Sequence, residues 1–360
     1  MATFRNPNRG LGRIGEPPRP RAPLSLVPTF QEPPSPMEAP IPMLRGQQGP
    51  WPQNWGDPGP IRPEADPDPS IWAPVVLDQP TYEFEPRPPQ ASAGYRPDTD
   101  FDGWSTRSAT VRLASVRGYK HRYEGRPRRD HAEAHVHETG TIVFAVADGV
   151  DGARYAELGS VLASAAALDE VISQLDARQH PFDWQSVLQQ AGDRLVAEAD
   201  SISDDPDPTL AEALLATTLT VGAAWPSAAG GMVISLAQVG DSSAWVLERG
   251  RFHPLLIPRT EGPAAMPPDA TLPLPRVPAA PVRQEIHLLP GAVLLVGTDG
   301  FGIPLGDGEG QVGELFARHL AAPPPPRGLA HLLDFSWETC DDDRTLLALW
   351  PLGPERRDPR

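Results

Sequence analysis

Cysteine is almost absent: Cys340 is the single one in 360 residues. One thiol excludes a disulfide framework and any zinc site built on paired cysteines. It fits a reducing compartment, so a cytoplasmic location is expected. Positive charge is also scarce. Lys and Arg number 31 against 47 Asp and Glu, a formal net charge of −16, which argues against nucleic acid as a main partner. No continuous run of about 18 apolar residues is present, so neither a transmembrane helix nor a membrane partner is expected. The first residues carry arginines but no apolar stretch of the kind that marks a secretory signal.

Proline, by contrast, is abundant: 47 in all, 24 of them within residues 1–100. Stretches such as RIGEPPRPRAP and FQEPPSPMEAPIP lack backbone donors and apolar period, and they bury too little to offset chain entropy. A disordered arm is expected over 1–103, a single domain over 104–352 and a charged, frayed tail over 353–360. For the arm, a plain tether and a partner-recruiting polyproline segment both stay open.

Beyond Trp104 the pattern changes. ATVRLASV alternates as a half-buried strand, and a basic loop, RGYKHRYEGRPRRDHAEAH, follows it. TIVFAVA is a continuous apolar strand. Apolar residues then recur at spacings of three and four from Leu158 to Leu175, and again from Trp184 to Ala199, marking two amphipathic helices. Three more strands follow (ATTLTVGAAW, GMVISLAQVG, SAWVLERG), then an irregular insertion over 254–281. RQEIHLLPGAVLLVGTDG reads as two strands turned at Pro290-Gly291. Short helices at 311–320 and 327–338 precede a last strand, TLLALW. Close strand-to-strand connections favour antiparallel sheets, and the helix pairs suit the sheet faces.

Three acids stand at strand tips. Asp148 and Asp299 end apolar runs, and Asp342 precedes one. In antiparallel neighbours these positions share one rim. Carboxylates gathered there repel one another and call for a proton or a cation, and oxygen-only donors select hard cations such as Mg²⁺ or Mn²⁺. Glycine after the acid permits close backbone approach, and the Gly149 carbonyl is itself a candidate ligand. Taken singly, each Asp-Gly also reads as an ordinary turn pair.

FAVADGVDGARYAELGS, TTLTVGAAW…MVISLAQVGDSSAWVLERG, LLVGTDGF and DDDRTLLAL, in this order over about 110–350, resemble the motifs of the metal-dependent protein phosphatases (PPM family, type 2C), in a bacterial, actinobacterial-like branch. The resemblance implies an α+β fold, a four-layer α-β-β-α sandwich with two central antiparallel sheets. It implies a Ser/Thr protein phosphatase acting on phosphorylated proteins through water activated by two Mn²⁺ or Mg²⁺ ions. Asp148 would bridge the ions, the Gly149 carbonyl would bind one, and Asp299 and Asp342 would hold the other. Asp130 matches the first-motif acid that orients the attacking water, and Asp241 an acid that supports a nearby loop.

The chain departs from the family pattern in three places. Val150 stands where His or Met is usual, so it cannot protonate a leaving alkoxide. Asp151 stands where Gly is usual, either capping the next helix or adding an outer ligand. The family's phosphate-binding arginine corresponds to Gly125. His121, in a G-x-x-H arrangement, is the candidate to bind phosphate or donate the proton, a solvated loop histidine being the plain alternative. Arg122, Arg126, Arg128 and Arg129 are alternative candidates for the phosphate contact. His131, His135 and His137, alternating on a strand, would share a face, a weak metal pattern. These departures keep a second reading open: a weakly active or inactive phosphatase-fold module that binds phosphoproteins.

Overall fold

Ile142–Ala147 places six apolar residues in a row, and all six are buried. A strand can be apolar on both faces only if both faces are covered, and the fold supplies two covers. The structure is a computed structural model that describes residues 75–78, 87, 95–203, 208–256, 272–338 and 340–353. Its strands are β1 (Val75–Val76), β2 (Thr99–Ser105), β3 (Ala109–Val116), β4 (His131–Val136), β5 (Ile142–Ala147), β6 (Leu219–Pro226), β7 (Met232–Val239), β8 (Ser243–Glu248), β9 (Arg251–Leu256), β10 (Val282–Leu288), β11 (Ala292–Gly297), β12 (Phe335–Ser336) and β13 (Arg344–Pro351). Its helices are α1 (Tyr119–Glu124), α2 (Ala156–Asp176), α3 (Trp184–Ile202), α4 (Pro208–Leu215), α5 (Asp299–Leu305), α6 (Gln311–His319) and α7 (Pro326–Leu333).

Five strands form one sheet in the order β10-β7-β6-β5-β4, and six form another in the order β2-β3-β13-β11-β8-β9. Every pairing in both is antiparallel. The short β1–β12 pair is parallel. Alternate residues of each strand point to opposite faces, so the apolar set divides into three layers. Phe144, Val146 and Leu236 meet Val111, Leu294 and Leu347 between the sheets. Val143, Ala145 and Val221 lie under Leu168, Val171 and Leu195 of α2 and α3. Trp245, Leu295 and Leu346 lie under Phe301, Phe316 and Leu333 of α5–α7. Each fully buried Leu, Val or Phe side chain contributes about 1.5–3 kcal/mol. The four-layer α-β-β-α sandwich is thus present.

Several expectations need correction. The ordered chain starts before the boundary expected at 103/104, because β2 begins at Thr99 and pairs along the whole of β3. The DTDFDGW segment at its start shows little apolar period, since what it offers the fold is carboxylates: Asp98 binds Arg117 and Arg122, and Asp100 binds Arg128. The rest of the expected arm, apart from residues 75–78, 87 and 95–98, lies outside the described residues, as does the tail from 354. The basic loop contains α1, whose buried side chains include His121 and Arg122. The expected insertion begins later, since β9 runs to Leu256. Residues 257–271 are outside the description, and Leu274 bridges Thr217. Contrary to the expected absence of any such segment, α2 is long and apolar enough to cross a membrane, with half of that stretch buried. Its apolar side packs on β5 and β6 as a core helix.

Candidate active site

In the β4–β5 ladder His131 pairs with Ala147, so Asp130, just before β4, stands beside Asp148, just after β5. In the other sheet Gly297 at the end of β11 pairs with Leu346 near the start of β13. Asp299 and Asp342 flank that pair. Two acids from each sheet therefore reach one rim. Thr298 joins the halves: its hydroxyl donates to Asp130 Oδ2 at 2.7 Å and accepts from the Thr345 amide at 3.1 Å. Thr217 and Thr218 fix the Asp148 backbone, the Thr217 hydroxyl and Thr218 amide each donating to its carbonyl at 2.8 Å. Gly149 is required by close approach, because a Cβ there would overlap the Ala156 carbonyl at the start of α2. At Gly300 a Cβ would overlap the Asp343 carbonyl oxygen.

The carboxyls are destabilised as anions. Burial, then the charges of Asp130, Asp299 and Asp342, raise Asp148 well above the ordinary range. Burial raises Asp299 to about 6. Burial and the Asp343 charge raise Asp130 to about 8. Asp342 rises through burial and its neighbour Asp343. Asp299 Oδ1 is buried without a hydrogen-bond partner. Such a cluster needs shared protons or a cation. An all-oxygen donor set with an unspent oxygen fits Mg²⁺ or Mn²⁺.

Asp343 behaves oppositely and escaped the sequence reading. It accepts hydrogen bonds from the Gly118 amide (2.7 Å), the Arg129 amide (2.6 Å) and His121 Nδ1 (2.9 Å). Burial alone would raise it, but the His121 charge and these donors hold it below the usual range. DDD offered three equivalent acids; only the fold separates the inward Asp343 from the rim-facing Asp342.

His121 is neither a loop residue nor solvated. It is buried on α1, with Nδ1 on Asp343 and 3.9 Å from Asp342 Oδ1. Burial would lower its pKa, yet the carboxylates around it outweigh burial and hold it at about 10. It is an imidazolium at neutral pH. His121, Asp342 and Asp343 could in principle gather an ion, but the Asp343 oxygens are already occupied by donors.

The other departures resolve as follows. Asp151 does not cap α2, whose N-cap is Tyr155; it binds Lys120 and Arg129. Val150 packs on Ala153, Ala156 and Ala216. Among the proposed phosphate contacts, Arg122 is held by Asp98 and Asp334, Arg126 by Glu124, Arg128 by Asp100 and Arg129 by Asp151. The three histidines do not converge. Glu133 lies between His131 and His135, at 3.8 and 3.7 Å. His137 lies past the strand end and binds Asp176 at 3.0 Å. Asp241 is exposed, and its charge helps raise Asp299. Cys340 is buried and burial raises its thiol pKa.

The family model for protein phosphatase 2C matches residues 117–344. The chain belongs to the protein phosphatase 2C family. No curated protein matches it in sequence. Solved structures similar to it include the S. agalactiae serine/threonine phosphatase (18% identity, covering 67% of this chain and 99% of that one, TM-score 0.45). Another is the PPM Ser-Thr phosphatase MsPP from Mycobacterium smegmatis (20%, 66% and 97%, 0.42). A third is the catalytic domain of the serine threonine protein phosphatase PstP with 2 manganese ions (18%, 68% and 99%, 0.44).

Proposed function

We propose that this protein is a divalent-cation-dependent phosphatase that hydrolyses phosphoserine and phosphothreonine in proteins, working in a reducing cytoplasm. The observation that supports this most is the meeting of Asp130, Asp148, Asp299 and Asp342, two from each sheet, at one rim inside the family-matched segment. Asp148, the Gly149 carbonyl, Asp299 and Asp342 would hold two Mg²⁺ or Mn²⁺ ions, which supply Lewis acidity toward phosphoryl oxygens and water. The protein's own part is positional. Asp130, fixed by Thr298, is placed to orient the attacking water. Asp343 and His121 tie α1 and the Arg129 backbone to the segment before β13 that carries Asp342.

The test is phosphate release from a phosphoserine peptide with manganese and then with excess chelator. Release that chelator abolishes is expected; release that survives chelator contradicts the reading. One observation favours the second reading, a weakly active module that binds phosphoproteins. Val150 is committed to an apolar cluster, and Arg122, Arg126 and Arg128 to acids. Binding of the phosphopeptide without turnover in manganese would select it.

A further inference from the structure

Asp151 sits in the turn just past the Asp148-Gly149 pair, closed by the Ala153 amide donating to the Val150 carbonyl at 2.9 Å. It gathers Lys120, Arg129 and His121 around it. Lys120 Nζ is 2.5 Å from Oδ2, Arg129 Nη1 donates to Oδ1, and His121 Nε2 lies 3.6 Å from Oδ1. The last distance is too long for a hydrogen bond, and Nε2 is a buried nitrogen with no hydrogen-bond partner.

The two halves of this cluster differ in how firmly they are held. The His121 side chain is 1% exposed and anchored through Nδ1 on Asp343. Arg129 is 8% exposed at its side chain, and both its amide and its carbonyl are bonded, to Asp343 and to Ser160. Lys120 is anchored at its backbone, its amide donating to the Asp341 carbonyl at 3.0 Å, while its side chain is 34% exposed. The acid, by contrast, is 49% exposed, on a turn whose next residue, Gly152, has open space around it. The fixed half carries the Arg129 guanidinium, it borders Asp342, and it holds a buried ring nitrogen with no hydrogen-bond partner. A phosphoryl group, with three acceptor oxygens, matches Lys120, Arg129 and that orphan nitrogen better than one carboxylate does.

We propose that Lys120, His121 and Arg129 form the anion site that receives the substrate's phosphoryl group, and that Asp151 occupies it in the free protein as an internal pseudo-ligand which phosphate displaces. The site replaces the arginine that Gly125 cannot supply. The identity of the anion rests on the phosphatase reading; the competition between Asp151 and an anion does not. An internal competitor weakens apparent affinity by the fraction of time the site is open, so removing its charge tightens binding.

The experiment is calorimetric titration of the full chain with inorganic phosphate, in chelator and again in magnesium. Asp151→Asn is expected to bind about tenfold tighter or more in both, and Asp151→Glu like the unaltered protein. Lys120→Met placed in the Asp151→Asn background is expected to cancel the gain. Asp151→Ser serves if Asp151→Asn does not fold. Unchanged or weaker phosphate binding in Asp151→Asn overturns the proposal and leaves Asp151 a structural clamp. Tightening confined to magnesium also overturns it, since phosphate would then reside on the cations alone. Peptide turnover on the same proteins separates the two readings. Phosphate binding as stated, with no turnover in manganese, refutes the phosphatase and leaves the anion site. Turnover whose KM is unmoved by Asp151→Asn refutes the anion site and leaves the phosphatase.

Discussion

Replacing Asp343 tests the internal scaffold of the rim. Its carboxylate is fully enclosed and takes three donors: the Gly118 and Arg129 amides and the His121 imidazolium. Asp343→Ala removes both acceptor oxygens and so all three bonds at once. Each buried amide left unpaired costs about 1–3 kcal/mol, and breaking a buried ion pair on one side costs about 3–5 kcal/mol. These terms overlap, so a loss of about 4 kcal/mol or more is expected, a large share of the roughly 5–15 kcal/mol that holds a domain together. Asp343→Asn is the informative comparison. With its oxygen placed at the Oδ1 position it keeps the Gly118 and His121 bonds, and it turns an amide donor toward the Arg129 N–H. One bond is lost and the charge disappears, so a loss of about 1–3 kcal/mol is expected. Urea unfolding followed by circular dichroism at neutral pH measures both. Asp343→Ala within about 1 kcal/mol of the unaltered protein would refute the assignment, because a scaffold acid with three buried donors cannot be that dispensable.

Stability in chelator should fall as pH rises from about 4 toward 8. Asp130, at about 8, and Asp299, at about 6, keep protons in the fold that the unfolded chain releases near 4. The His121 contribution, with a folded pKa of about 10, is complete below about 6.5 and is lost as pH climbs through 10. Thermal melts from pH 5 to 8, with and without magnesium, check this: the cation should flatten the decline, and a rise in stability with pH in chelator would contradict the shifts. Deleting residues 1–103 should sharply lower the melting temperature, because it strips Asp98 and Asp100 from Arg117, Arg122 and Arg128; an unchanged melt would show those pairs to be idle. His121→Ala should slow p-nitrophenyl phosphate and phosphopeptide hydrolysis alike, as befits a group that contacts the phosphoryl group common to both and holds Asp343 in place. A loss confined to the phosphopeptide, on the scale of 10²–10⁴-fold, would make it the leaving-group acid instead.

What was legible in the sequence follows what held each element in place. β5, β11 and α2 announce themselves because apolar period is their whole reason for existing. Their strand tips in turn located Asp148 and Asp299, and DDDRTLLAL located Asp342. α1 and β2 stayed hidden because charge pairs bury them: YKHRYE and TDFDGW carry His121, Arg122 and Asp100 rather than an apolar stripe. α5 was masked by Gly300 and Pro304, residues that usually mark a stop. Asp343 and the true partners of Asp151 were beyond reach for another reason. Which of several adjacent acids faces inward, and which cations meet a given carboxylate, depends on contacts between segments far apart in the chain.

The central claim is that the rim carboxylates exist to hold divalent cations for phosphoester hydrolysis. The most direct test is manganese titration of the unaltered protein and of Asp148→Asn, with phosphopeptide turnover measured at each point. Turnover that rises with bound manganese in the unaltered protein and falls by about a hundredfold or more in folded Asp148→Asn, together with its manganese affinity, is the predicted result. Manganese affinity and turnover unaffected by Asp148→Asn would contradict the account.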